Sequence, residues 1–149
     1  MEIRLLNQND LESLLELYVQ LDKQNEHYSM MTSYKVWKEI SSNNNIKYIG
    51  AIENNKVIAT CYLVIIPNLT VGGKSIGFIE NVITDEKCRN KGIGKQIIET
   101  AIQISRENNC YKVILQSGMQ RKEAHQFYKK LGFSDMTKKA FDLRLNLDN

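Results

Sequence analysis

The sequence predicts an α/β (α+β) domain built on a mixed, mostly antiparallel central sheet flanked by about four helices. Three observations predict it. Apolar residues recur at helical spacing in four stretches, and β-branched or apolar residues alternate in the stretches between them. Asparagine, glycine and the single proline stand where the period changes. The resulting order is strand, two helices, three strands, helix, strand, helix, strand, with no repeat or linker that would divide residues 1–149 into more than one domain.

Glu2-Ile3-Arg4-Leu5-Leu6 has room for one short strand before Asn7-Gln8-Asn9 stops it. Asn9 and Glu12 have capping-box spacing, and Leu11, Leu14, Leu15, Tyr18 and Leu21 fall on one helical face. Residues 23–31 have no clear period, and Thr32-Ser33 are placed to cap a second helix holding Val36, Trp37 and Ile40. Asn43-Asn44-Asn45 breaks the chain. Ile46, Tyr48, Gly50 and Ile52 then alternate up to an Asn54-Asn55 turn, and residues 57–66 resume in strand-forming residues, which is a hairpin. Pro67 ends it, a turn at Val71-Gly72-Gly73-Lys74 follows, and residues 75–84 form the third consecutive strand. Ile93, Ile97, Ile98, Ala101, Ile102 and Ser105 mark an amphipathic helix ending near Asn108-Asn109. Tyr111 to Leu115 is a short buried strand, Lys122 to Lys130 a helix stopped by Gly132, and Phe141, Leu143, Leu145 and Leu147 alternate as a closing strand.

Composition narrows the function classes. With 42% hydrophobic and 25% charged residues, the chain has material for one core. A net charge of +3 spread along 149 residues calls for no nucleic acid. Cys61, Cys88 and Cys110 are an odd set without metal-like spacing, which predicts no disulfide framework and no metal site, and suits a reducing, cytoplasmic setting. No apolar run is long enough to span a membrane.

The chemistry concentrates between Ile76 and Glu107, where a strand runs through Asp85-Glu86-Lys87-Cys88 into Arg89-Asn90-Lys91-Gly92-Ile93-Gly94-Lys95 and then a helix. Backbone N–H groups at such a helix start, with three cations nearby, favour an anion. Glycine at positions 92 and 94 lets the backbone close on phosphate oxygens and reach dihedrals other residues avoid. Two other phosphate loops fail. A P-loop needs glycine at Arg89 and Ser or Thr at Gln96, and a dinucleotide fingerprint needs glycine at Ile97.

The remaining pattern, Arg-x-x-Gly-x-Gly between an apolar strand and an amphipathic helix, resembles the pyrophosphate loop of the GNAT acyltransferase superfamily. Ala124 to Phe133 matches its second signature, Phe-Tyr-x-x-x-Gly-Phe. The segments Gly77 to Thr84 and Asn109 to Val113 are similar to glucosamine-phosphate N-acetyltransferases. The resemblance implies acetyl-coenzyme A as co-substrate. Arg89, Asn90, Lys91, Gly92, Ile93, Gly94 and Lys95 would hold the pyrophosphate, the backbone of Val82, Ile83 and Thr84 the pantetheine, and Gln116 and Ser117 would line the cleft. Tyr128 takes the place of the general acid that protonates the leaving thiolate. A phenol titrates near 10 and a thiol near 8.5, so the proton is shared at modest cost. Glu80, in an otherwise apolar strand, is the candidate base for the acceptor ammonium, since burial there makes a better base.

Each role has a plainer counterpart: an ordinary strand rung at Val82 to Thr84, a solvent-facing carboxylate at Glu80, a packed aromatic at Tyr128. Tyr28, Met30 and Met31, with His27, fall in the acceptor-binding region of the resembled family and serve equally well as loop and core-edge packing. Arg121 stands where many relatives carry a cofactor-contacting asparagine, and His125 reads as a surface residue. The sequence therefore reads as an acetyl-CoA-dependent N-acetyltransferase acting directly on a primary amine, of a small molecule in the first instance. Alternatives are a peptide or protein acetyltransferase and a non-catalytic acetyl-CoA-binding regulator. The reading includes no nucleic acid, membrane or metal partner, and it is compatible with a homodimer.

Overall fold

A computed structural model describes residues 1–145, in two compact units, Met1–Leu115 and the residues from Gln116. In the first unit, β1 (Glu2–Leu5) leads through a 3-10 turn to α1 (Leu11–Val19), a second 3-10 turn at Lys23–His27 and α2 (Met30–Ser42). Then come β2 (Ile46–Glu53), β3 (Lys56–Ile66), β4 (Ser75–Thr84), α3 (Ile93–Glu107) and β5 (Cys110–Leu115). The sheet order is β1-β2-β3-β4-β5, antiparallel throughout except for the parallel β4–β5 pair. The parallel step follows from chain direction: α3 carries the chain back along the sheet before β5 begins.

Helices cover both sheet faces. On one, Leu11, Leu14 and Leu17 of α1 and Trp37 of α2 pack with Leu6, Val57 and Ile83. On the other, Ile97, Ile98 and Ala101 of α3 are fully buried, and α3 lies so close that a Cβ at Gly77 on β4 would stand 2.7 Å from Ser105 Oγ. Glycine at 77 thus permits the close seating of α3, and α3 in turn fixes where its own N-terminus points.

Asparagine supplies the bends. Among the described residues, five of the six non-glycine positions with positive φ are Asn54, Asn55, Asn81, Asn90 and Asn109. Asparagine tolerates the left-handed region because its short side chain bonds locally. Asn54-Asn55 turns the β2–β3 hairpin and Asn109 follows α3, both as the sequence predicts.

Several expectations need correction. The capping box is Asn7 with Asp10, at the 3-10 turn before α1, and not Asn9 with Glu12. Asp10 is drawn there by Arg4, which it holds through two hydrogen bonds of 2.7 and 2.9 Å. The second helix starts at Met30 under a Ser29 cap, so Thr32 and Ser33 lie inside it, and Thr32 N–H donates to Ser29 Oγ at 3.3 Å. The Lys23–His27 stretch is a 3-10 turn opened by Asp22.

The second unit contains α4 (Lys122–Lys130), ended at Gly132 with φ +94°, as the sequence predicts. The closing strand is not formed over its described part: Phe141, Leu143 and Leu145 belong to no strand and are exposed. Alternation alone does not make a strand without a paired edge. Leu147 lies outside the described residues.

Candidate active site

The site begins with an irregularity in β4. Tyr62 pairs with Glu80 and Thr60 with Ile83, so three steps of β4 oppose two of β3, and Asn81 sits in the bulge at φ +51°. A bulge twists the strand and interrupts its ladder. On the other side, the β4–β5 ladder stops at Ile79–Leu115 while β4 continues to Thr84. Val82, Ile83 and Thr84 therefore have β3 on one edge and, among the described residues, no strand on the other.

Beyond β4 the chain is fastened down. Asp85 N–H donates to Ile58 O at 2.8 Å, and Asp85 caps a 3-10 turn at Glu86–Cys88 through Lys87 N–H. Gln20, at the end of α1, grips this turn twice, donating to Asp85 Oδ2 at 3.1 Å and accepting from Glu86 N–H at 3.0 Å. Sequence reasoning missed Gln20; its partners lie 65 and 66 positions away, and nothing local marks it. Arg89 Nε donates to Thr84 O at 3.2 Å, tying the loop back to the strand. Asn90 and Gly92 both have positive φ, and Gly92 opens α3 without any side-chain cap. The first N–H groups of α3 thus have no side-chain acceptor, the condition for an anion site at a helix start. Gly94 is a correction in part: it lies inside α3 with helical dihedrals, so any need for glycine there is closeness of approach and not conformation. Lys95 pairs with Glu99 at 3.7 Å, both exposed.

Glu80 lies half-buried on the face covered by α1 and α2, in one rung with Tyr62 of β3 and Tyr48 of β2. Tyr48 and Tyr62 stack at 5.1 Å, and Trp37 meets Tyr48 edge-on at 5.5 Å. Burial pushes the Tyr48 phenol up to about 12; burial, and then the Glu80 carboxylate beside it, raise Tyr62. Beneath the rung Tyr18 is half-buried with its hydroxyl enclosed; burial holds its phenol well above the usual value, and Tyr48 and the Asn81 side chain are the polar neighbours of that hydroxyl. Tyr28 and Met31 are exposed and Met30 half-buried, at the 3-10 turn and the first turn of α2. Gln8, Tyr34, Trp37, Lys38 and Ser41 line an open hollow of about 450 Å³.

In the second unit, Tyr128 lies on α4 between the rings of Phe127 (5.1 Å) and Phe133 (6.0 Å), both edge-on. His125 bonds Gly118 O at 2.8 Å, a structural contact across the turn before α4. Gln116 is exposed, and the hydroxyl of Ser117 is buried without a hydrogen-bond partner.

The comparisons with known proteins give this arrangement of sheet, bulge and glycine-opened helix its class. Residues 11–133 match the Acetyltransferase (GNAT) family, and the chain belongs to that family. It is 31% identical, over 99% of this chain and 95% of the relative, to a glucosamine 6-phosphate N-acetyltransferase of Trypanosoma brucei brucei. Its fold is that of a putative acetyltransferase from Agrobacterium tumefaciens, with a TM-score of 0.92, 34% identity, and 97% and 100% of the two chains covered. The glucosamine-6-phosphate N-acetyltransferase of Arabidopsis thaliana follows at 0.82, 26% identity, and 99% and 98% coverage. The protein is thus an N-acetyltransferase of the GNAT type. Among the described residues no helix is long and apolar enough to cross a membrane.

Proposed function

We propose that the protein transfers acetyl from acetyl-coenzyme A directly to a primary amine of a small molecule. The observation that carries this reading is the continuous backbone surface from the edge of Val82–Thr84, unpaired among the described residues, through the Arg89 clasp, to the uncapped start of α3 at Gly92. That surface fits a pantetheine arm followed by a pyrophosphate: strand N–H and C=O groups for the amide-bearing arm, helix N–H groups and Lys91 for the anion. The bound co-substrate supplies an activated thioester. The chain's residues do the rest. Backbone N–H groups near Val82 to Thr84 polarise the carbonyl, Glu80 takes the proton of the acceptor ammonium, and Tyr128 holds a proton for the departing thiolate. A covalent route through Cys61 or Cys110 is disfavoured, because burial raises both thiols, that of Cys61 to about 12, and leaves too little thiolate to attack.

The test is thiol release from acetyl-coenzyme A by purified protein across amino sugars and their phosphates, polyamines, aminoglycosides, amino acids and lysine peptides, with Tyr128→Phe alongside. Release that depends on one small amine and collapses in Tyr128→Phe supports the reading. Preference for a lysine or N-terminal peptide would replace the small molecule with a protein substrate. Acetyl-coenzyme A binding without release for any amine would make the protein a regulator.

A further inference from the structure

The face that carries Glu80 has an unusual charge pattern. Its rung reads Tyr48–Tyr62–Glu80 across three strands, with the rings of Tyr48 and Tyr62 stacked and Trp37 closing one end. The rungs on either side, Gly50–Thr60–Ile83 and Ile46–Val64–Phe78, carry no charge. Arg4 is paired opposite Gly50 on β1 and so shares this face, but Asp10 holds its guanidinium by two hydrogen bonds. The face therefore offers one carboxylate, stacked phenols, the enclosed hydroxyl of Tyr18, and no uncommitted cation on these rungs.

Such a wall selects by charge. An ammonium gains from the carboxylate and from aromatic faces, which attract cations through their quadrupole. A phosphate gains nothing: it needs Arg or Lys partners to replace its water, and unpaired it meets Glu80 with like charge. The two requirements separate acceptors that otherwise share one amine.

Resting on the reading of Glu80 as the acceptor-side base, we infer that the acceptor is an unphosphorylated, cationic amine bearing further positive charge or hydroxyl groups, seated on the Tyr48–Tyr62–Glu80 rung. The preference runs against the phosphorylated sugar named for the Trypanosoma and Arabidopsis relatives.

Two readouts on the full chain test it. The first is kcat/KM, by thiol release, for spermidine, glucosamine and glucosamine 6-phosphate. At least one unphosphorylated amine should exceed the phosphate by about tenfold or more, the scale of a single well-placed charge contact. The second needs no turnover: Trp37 is the chain's only tryptophan and touches Tyr48, so its fluorescence reports occupancy of the rung. Spermidine or glucosamine should perturb it at lower concentration than glucosamine 6-phosphate, and Glu80→Gln should weaken that response. Val64→Lys, which places a cation one rung away, should narrow the difference.

Fluorescence binding of the unphosphorylated amine without thiol release would sink the enzymatic reading and leave the site standing. Equal or better use of glucosamine 6-phosphate, or no fluorescence response to either unphosphorylated amine, overturns the inference. If the phosphate is preferred and Lys38→Ala removes that preference, the acceptor belongs in the hollow beside α2 instead.

Discussion

From Asn81 to Lys95 the chain presents mainly backbone: a bulge, a strand edge that no described strand pairs, and a helix start with two positive-φ residues before it. The face of β2 to β4 that carries Glu80 presents side chains: two stacked phenols, a tryptophan edge and a carboxylate. The first surface can recognise a group common to many reactions, because backbone donors change little with sequence. The second can differ from one family member to the next without disturbing the fold. On the proposed reading the family relation speaks to the backbone side and the rung to the acceptor.

The largest expected effect separates the two sides. Glu80→Gln removes the proposed proton acceptor and leaves the loop from Arg89 to Lys95 untouched, so turnover should fall by about 100-fold or more, the usual scale for general base catalysis. The dissociation constant of acetyl-coenzyme A, by calorimetry, should stay within about twofold of wild type. Unchanged turnover at saturating amine would remove Glu80 from the chemistry.

The converse change acts on backbone. Gly92 has φ +77°, and a Cβ there would meet nothing within 4 Å, so the cost of a side chain is conformational and not steric crowding. Gly92→Val should therefore weaken acetyl-coenzyme A binding by about tenfold, matching the ~1–2 kcal/mol cost of a left-handed non-glycine residue. The KM for the amine should hardly move. If the amine KM rises as much as the acetyl-coenzyme A constant, the two sides are not separable.

This division also explains what could be read from sequence. Strand, glycine loop and helix announce themselves locally, and α3, α4 and the β2–β3 turn fall where residues 93–107, 122–130 and 54–55 place them. Glu80 was legible as an odd charge in an apolar strand. Its neighbours were not, because the Tyr48–Tyr62 pairing lies beyond a bulge at Ala51/Ile52 that shifts the hairpin register by one residue, and the Tyr62–Glu80 pairing is set across the connection between β3 and β4. Asn81 gave a faint signal, one asparagine among many, and Gln20 gave none. The capping box moved to Asn7 because Asp10 has a long-range tie through Arg4, and local spacing could not weigh that against Glu12.

The Arg4–Asp10 pair sharpens the charge side of the comparison. Hydrogen bonds from Arg4 hold the Asp10 carboxyl below its usual range, in spite of burial. A depressed folded value means that the pair stabilises the protein above the ordinary carboxylate pKa of 3.8 and loses that contribution as pH falls through the folded value. Asp10→Asn should cost about 1–2 kcal/mol near neutral pH, discounted because the Arg4 side chain is 31% exposed. Melting curves should show the difference from wild type shrinking below about pH 4. The freed guanidinium would also put a cation on the acceptor face, and glucosamine 6-phosphate should become a relatively better substrate. A penalty that is flat with pH would mean that Asn7 capping, and not the ion pair, is what Asp10 contributes.

The smallest effect distinguishes packing from recognition. Tyr18 encloses a hydroxyl that completes no well-formed hydrogen bond in the structure, so in the free protein its desolvation is offset only by weaker polar contacts with Tyr48 and the Asn81 side chain. Tyr18→Phe keeps the ring against α1 and the sheet and removes only that oxygen. Stability should be unchanged or higher by up to about 1 kcal/mol. If the hydroxyl instead awaits a polar group of the acceptor, the amine KM should rise severalfold while kcat and the acetyl-coenzyme A constant hold. A variant that is less stable, with an unaltered KM, would place Tyr18 in the core alone and confine acceptor recognition to Tyr48, Tyr62 and Glu80.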